Sequence, residues 1–157
     1  MRSPAANRLN TVSFALAVGG VAVAAYLTLV HYRDELLVCA VGGCETVQKS
    51  PYAELRGVPV ALLGLGMYIV ITGLLVLRQT RPERVEQTTL AVFGLALTGT
   101  VFTIYLTYLE LFVIDAICQW CVLFAIITWV LTLVEGTRAW HFLMPPLPEE
   151  EEADGAA

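Results

Sequence analysis

Charge is what this sequence has least of. Only 15% of its 157 residues are Asp, Glu, Lys or Arg, while 57% are hydrophobic and the mean hydropathy is +0.72. An ordinary soluble domain is about a quarter charged, and a chain this short has too little core volume to hide so much apolar surface from water. That excludes a soluble globular protein. A basic excess is also lacking: 9 Lys and Arg stand against 14 Asp and Glu, which excludes binding to nucleic acid by phosphate neutralisation. The negative balance comes from the end of the chain, where Glu149, Glu150, Glu151, Glu152 and Asp154 leave a neutral body behind them. No internal repeat is evident. Gly64-Leu65-Gly66 has Ile69 where a nucleotide loop needs a third glycine and lies inside an apolar run, which excludes that motif too.

Four stretches carry no charge at all: Leu9–Tyr32 (24 residues), Gly57–Leu77 (21), Gln87–Leu109 (23) and Ala116–Val134 (19). At 1.5 Å per residue each gives a helix of about 28–36 Å, matching a hydrocarbon core of about 30 Å. Only helices and closed barrels span lipid, and runs without alternation are not barrel strands. The predicted fold is an all-α integral membrane bundle of four transmembrane helices, residues 1–144, followed by a disordered acidic tail, 145–157. The basic start and Ala22-Val23-Ala24 resemble a signal peptide. The apolar run continues to Val30, however, longer than a signal core, and either reading places the next loop outside.

Arg2, Arg8, Arg78, Arg81, Arg84 and Arg138 all fall on one side of this topology. Cytoplasmic flanks collect Lys and Arg, so both termini are expected in the cytoplasm and the chain in the plasma membrane. The other side carries a long loop, Arg33–Arg56, and the short link Glu110–Asp115. Short links make the second, third and fourth spans antiparallel neighbours. Gly19, Gly20, Ala24, Gly64, Gly66, Gly94 and Thr98 offer small surfaces for close helix packing.

All four cysteines then lie on the outer, oxidising side, where disulfides persist: Cys39 and Cys44 in the loop, Cys118 and Cys121 at the start of the fourth span. Cys118-Gln119-Trp120-Cys121 has redox spacing, and a helix N-terminus lowers the thiolate pKa there. Gly42-Gly43 permits a reversal that brings Cys39 and Cys44 together. Three readings fit the set. The cysteines are structural or inert, although a bridge within C-x-x-C makes a labile staple. They hold zinc, although four thiolates suit a membrane edge poorly. Or they form a relay: an exposed loop pair takes electrons from a carrier thiol and passes them to the pair at membrane depth, then to a lipid-soluble oxidant.

Cys39…Cys44-ETVQK-Ser50-PYA…Gly57-Val-Pro59…Gly64…Tyr68, followed by Cys118-Gln-Trp-Cys121, resembles the vitamin K epoxide reductase (VKOR) family, in particular bacterial members that drive disulfide formation. The resemblance spans roughly residues 9–140. DsbB-type oxidases also use four helices and two cysteine pairs, but carry C-x-x-C in the first outer loop.

The resemblance implies a thiol:quinone oxidoreductase. In it Cys39 and Cys44 shuttle electrons from a DsbA-like or thioredoxin-like partner, Cys44 bridges transiently to Cys118, and Cys121 meets the quinone. Ser50 matches the family's loop serine near the quinone, although Ser50-Pro51 also reads as the N-cap of a short interfacial helix, Pro51–Leu55. Vertebrate members carry Asn and Tyr where Val60 and Ala125 stand here. That points to a plain quinone acceptor, menaquinone or ubiquinone, with vitamin K epoxide reduction as the alternative. Many bacterial members are fused to a thioredoxin-like domain; this sequence stops at Ala157, so its partner is expected to be a separate protein.

Phe102, Tyr105 and Tyr68, with Phe112, Trp120 and Phe124, are candidate walls of a quinone pocket, or else packing and interfacial aromatics. His31 reads as an interface anchor and Glu135 as a boundary charge. Glu110 and Asp115 read either as solvated caps or as acids that pass protons. Two other classes compete: a small transporter, which lacks the ionisable residue expected deep in a span, and a scaffold with structural disulfides.

Overall fold

The four apolar runs form four long helices. The structure, a computed structural model, describes residues 4–40 and 42–144; the expected acidic tail lies outside the described residues. The helices are α1 (Pro4–Tyr32), α3 (Val60–Thr80), α4 (Val85–Phe112) and α5 (Gln119–Leu143), with a five-residue helix α2 (Cys44–Gln48) in the long loop. The loop continues through a 3-10 turn, Pro51–Ala53, into a two-stranded ribbon pairing β1 (Glu54–Leu55) with β2 (Val58–Pro59). His31 Nε2 lies 3.2 Å from Glu54 Oε1 and ties the end of α1 to that ribbon.

Each long helix buries one narrow stripe. On α1 it runs through Ser13, Ala17, Ala24 and Leu27; on α3 through Tyr68, Ile71, Leu75 and Arg78; on α4 through Thr89, Ala96, Thr103 and Glu110; on α5 through Ala125, Thr128, Leu131 and Glu135. Steps of three and four residues average near 3.5, the period that keeps a seam facing its neighbours in a left-handed bundle. The helices close a ring in which α1 and α4 each pack against α3 and α5. Large apolar side chains off the stripes, such as Val101 and Leu133, point outward, as lipid-facing residues do.

Three of the helices are longer than their charge-free runs, and α3 has the same 21 residues shifted by three. α4 begins at Val85 and α5 continues to Leu143, because arginine and glutamate at the end opposite the loop stay helical. α5 starts three residues later than expected. Asp115 adopts φ 52°, and the segment through Cys118 is held in an irregular link, with the Ala116 N–H donating to Glu110 O at 3.1 Å. The loop helix is also displaced: it precedes Ser50 rather than following it, and the Pro51 segment is a single 3-10 turn.

Glu135 is no boundary charge. Its side chain is fully buried, with Oε2 accepting from Arg78 Nη1 at 2.7 Å and Oε1 from Arg78 Nη2 at 3.2 Å. Asn10 Oδ1 accepts from Arg78 Nη2 at 2.7 Å and from Nε at 3.0 Å, and the Ser13 hydroxyl donates to Glu135. Arg78 Nη1 also donates to Thr89 Oγ1 at 3.4 Å, so the network joins all four long helices at the end away from the loop. Lipid offers no partner to a charge, so two opposite charges on buried stripes turn to each other.

Close packing depends on a different set of glycines than expected, with Gly20 and Gly64 tightly approached as expected and Gly99 in addition. A Cβ at Gly20 would lie 2.1 Å from the Tyr68 ring, and one at Gly99 2.8 Å from Met67 Cε, whereas Gly66 and Gly94 face open space. Gly20→Ala should therefore lower stability by about 1–3 kcal/mol, while Gly66→Ala leaves it unchanged or raises it by up to about 1 kcal/mol. Unfolding in detergent micelles checks both. Glu135→Ala strands Arg78 in the bundle and should cost about 3–5 kcal/mol, whereas Arg78→Met combined with Glu135→Leu should recover most of that loss. Thermal unfolding of the three variants measures the difference.

Candidate functional site

At the loop end, the two cysteine pairs are brought together by the residues between and beside them. The Tyr26 hydroxyl on α1 accepts from the Val38 N–H at 2.9 Å and donates to Leu36 O at 3.2 Å. Trp120 stacks on Tyr26 with ring centroids 4.6 Å apart, and its Nε1 donates to Val38 O at 2.8 Å. The Ala40 N–H donates to Gln119 Oε1 at 3.2 Å. The two residues inside Cys-x-x-Cys thus hold the segment carrying Cys39.

Cys39 and Cys44 form a disulfide with Cα atoms 6.2 Å apart. Gly43, at φ 119°, allows the chain to enter α2 while lying flat on the α4–α5 link. A Cβ there would be 2.9 Å from Ile117 O, and φ in that region disfavours any other residue. Cys44 is consequently buried, in one cluster with Val47 and Cys118. Both loop cysteines were expected to be exposed; only Cys39 keeps partial access. Docking against the link covers the second cysteine.

Cys118 and Cys121 are free thiols. Cys118 occupies the N-cap of α5, and its N–H donates to Glu110 Oε2 at 3.1 Å. Its thiol pKa is lowered, first by a hydrogen bond from the Cys121 thiol and further by the N–H groups of Cys121 and Trp120, against burial and the Glu110 charge, which raise it. Those amides are the unpaired N–H groups of the first helical turn, which favour an anion. Glu110 is buried as well, not a solvated cap, while Asp115 is exposed.

Cys121 and Glu110 border a partly open cavity of about 290 Å³ lined by all four long helices and the loop. Phe102 and Phe124 supply aromatic walls, and Gln48, Ser50 and Thr107 are among its polar points. Ser50 caps nothing with its side chain; its hydroxyl donates back to Val47 O at 2.8 Å. Val60 lines the cavity and Ala125 does not. Of the expected aromatic walls, Phe102 and Phe124 reach the cavity, whereas Tyr68, Tyr105, Phe112 and Trp120 do not border it. Tyr68 is sealed in the mid-bundle core, its hydroxyl 2.9 Å from Thr128 Oγ1, and Tyr105 points outward, half exposed. Among the described residues no group of three or more His, Cys, Asp and Glu side chains is placed to hold a metal ion.

Sequence reasoning missed Gln48 and Thr107 and left Glu110 open. One signal pointed to Glu110: it falls on the heptad through Thr89, Ala96 and Thr103, so it must face inward. Gln48 and Thr107 carry no comparable pattern.

A bundle of four membrane-length helices, a disulfide in the loop and a dithiol C-x-x-C packed against it define a membrane redox enzyme working through cysteine pairs. The model of the vitamin K epoxide reductase family matches residues 11–135, and the chain belongs to that family. Its activity is therefore cysteine-mediated thiol oxidoreduction of the VKOR type.

The hydrogen bond from Cys121 is the largest cause of the lowered Cys118 pKa. Thiolate absorbance at Cys118 should rise at a lower pH than for an ordinary cysteine, and Cys121→Ala should move that titration back upward. Ultraviolet titration of the reduced protein against the Cys118→Ala control measures both midpoints.

Proposed function

We propose that the protein oxidises a thioredoxin-like partner of the DsbA type and passes the electrons to a membrane quinone, sustaining disulfide formation outside the cytoplasm. The observation that carries this reading is the sulfur path. Cys39 is accessible, Cys44 is buried against Cys118, and Cys121 borders the cavity. Exchange proceeds by thiolate attack through mixed disulfides. A partner thiolate opens the Cys39–Cys44 bridge and leaves the loop pair reduced. Cys44 then attacks Cys118 of an oxidised C-x-x-C, and Cys39 closes the loop bridge again. Cys118 and Cys121 are left as the dithiol, the state described above, which carries two electrons to the acceptor.

The cavity residues fit a quinone head group. Ligand pockets usually measure roughly 300–1,000 Å³ and combine apolar walls with a few polar points, and the cavity here has about 290 Å³ with Phe102, Phe124, Gln48 and Ser50 on its walls. A quinone supplies a two-electron oxidant soluble in lipid. Cys121 would face it, Phe102 and Phe124 would wall its ring, and Gln48 would offer an amide donor to a carbonyl group, with Ser50 beside it. Val60 in place of a polar residue favours menaquinone or ubiquinone over vitamin K epoxide. The charge rule supports a loop outside the cytoplasm, since Arg81 and Arg84 are exposed at the end opposite the cysteines. The driving force has the right sign, since structural disulfides form below about −300 mV while DsbA lies near −120 mV, so client thiols feed such a carrier downhill.

The test is purified protein with a reduced DsbA-like donor and a soluble menaquinone or ubiquinone analogue, following quinone absorbance. Quinone loss should occur with wild type and vanish in Cys121→Ala and Cys44→Ala. Retained quinone-dependent turnover in Cys121→Ala overturns the reading.

A further inference from the structure

The thiol–quinone step needs two protons moved as well as two electrons, and the buried carboxyl beside the C-x-x-C has no part in the sulfur path. Glu110 lies on the inward stripe of α4, with Oε2 accepting the Cys118 N–H at 3.1 Å, and it shares a cavity wall with Cys121. It borders the cavity on one side. On the other it borders a second pocket, opening at the loop end between Gly43, Asp115 and Ile117. Among the described residues, Glu110 is the one that lines both. The other titratable groups on these walls are Cys121 and Tyr52 in the cavity and Asp115 in the second pocket; the Cys118 thiol faces Glu110 from the start of α5. Only Glu110 is a carboxyl in contact with the reacting dithiol.

We propose that Glu110 is the proton carrier of the thiol–quinone step, taking the proton of the Cys121 thiol and delivering it to a quinone oxygen in the cavity. The assignment rests on the quinone reading given above. Cys121 loses its proton to the Glu110 carboxylate and gives its electron pair to the quinone. The Cys118 sulfur then forms the S–S bond to Cys121. The Cys118 proton follows through the same carboxylate once the first has been discharged and ends on the second quinone oxygen. Two electrons and two protons leave the dithiol and arrive as one hydroquinone, with no further reductant. A carboxyl bonded to the backbone of one cysteine and sharing a cavity wall with the other is placed for general acid–base transfer, directly or through one water.

Glu110→Gln separates this role from a structural one, because the amide oxygen still accepts the Cys118 N–H while the group no longer carries a transferable proton. Full-length protein in detergent, with a reduced DsbA-like donor and a soluble ubiquinone analogue, should lose about a hundredfold in kcat on Glu110→Gln with little change in KM. Thiol trapping without quinone should show exchange between the loop pair and Cys118 continuing at the wild-type rate. Glu110→Asp should recover part of the loss. Active wild type with Glu110→Gln within about two-fold of it overturns the carrier role alone. Loss of thiol exchange together with quinone reduction, unrelieved by Asp, also overturns it in favour of a structural role. Wild type that leaves the quinone untouched overturns the quinone reading and the carrier role with it.

Discussion

A lipid-facing surface offers no hydrogen-bond partner, and the arrangement of every polar group on the four long helices follows from that constraint. The spans contain many threonines, and those at 28, 72, 98, 128 and 132 return their hydroxyl protons to a carbonyl one turn back on their own helix. Groups that cannot satisfy themselves locally lie on the inward stripes: Arg78 and Glu135 at one end, Glu110 at the other. The same narrow seams that bring small residues together for packing also gather the charged ones, since both need the interior, for opposite reasons.

The two ends of the bundle use their buried charge differently. Away from the loop, Arg78 and Glu135 satisfy each other, with Asn10, Ser13 and Thr89 completing the set, and the helices are pinned. At the loop end, Glu110 is bonded to the Cys118 N–H beside the two thiols, and a cavity opens beside it. A charge balanced by its opposite partner suits a fixed joint. A carboxyl set against exchangeable thiols suits a place where protons and electrons are handed on.

The loop lies over the cavity because the C-x-x-C spacer residues hold it. Gln119 and Trp120 bind the backbone of the Cys39 segment, and Gly43 lets Cys44 settle on the link. The spacing of the second cysteine pair therefore does two things. It sets the two thiols one helical turn apart, and it orients the intervening side chains toward the other pair. That double use explains how a loop with little secondary structure keeps a buried cysteine against Cys118.

Much of this was legible in the residues alone. Four charge-free runs of membrane length allowed no fold but a helical bundle, because backbone groups in lipid must pair within their own segment. The two cysteine pairs and their shared end of the bundle followed from charge counting and topology. Helix ends did not, since arginine and glutamate beyond the runs remain helical when they find partners, and Asp115 breaks the start of the last helix by its backbone conformation. The burial of Glu135, Glu110 and Cys44, and the absence of Tyr68 and Tyr105 from the cavity wall, were decided by tertiary structure. Hydrophobicity sets which segments enter the membrane; which face of each helix turns inward, and what meets it there, depends on packing against the other three.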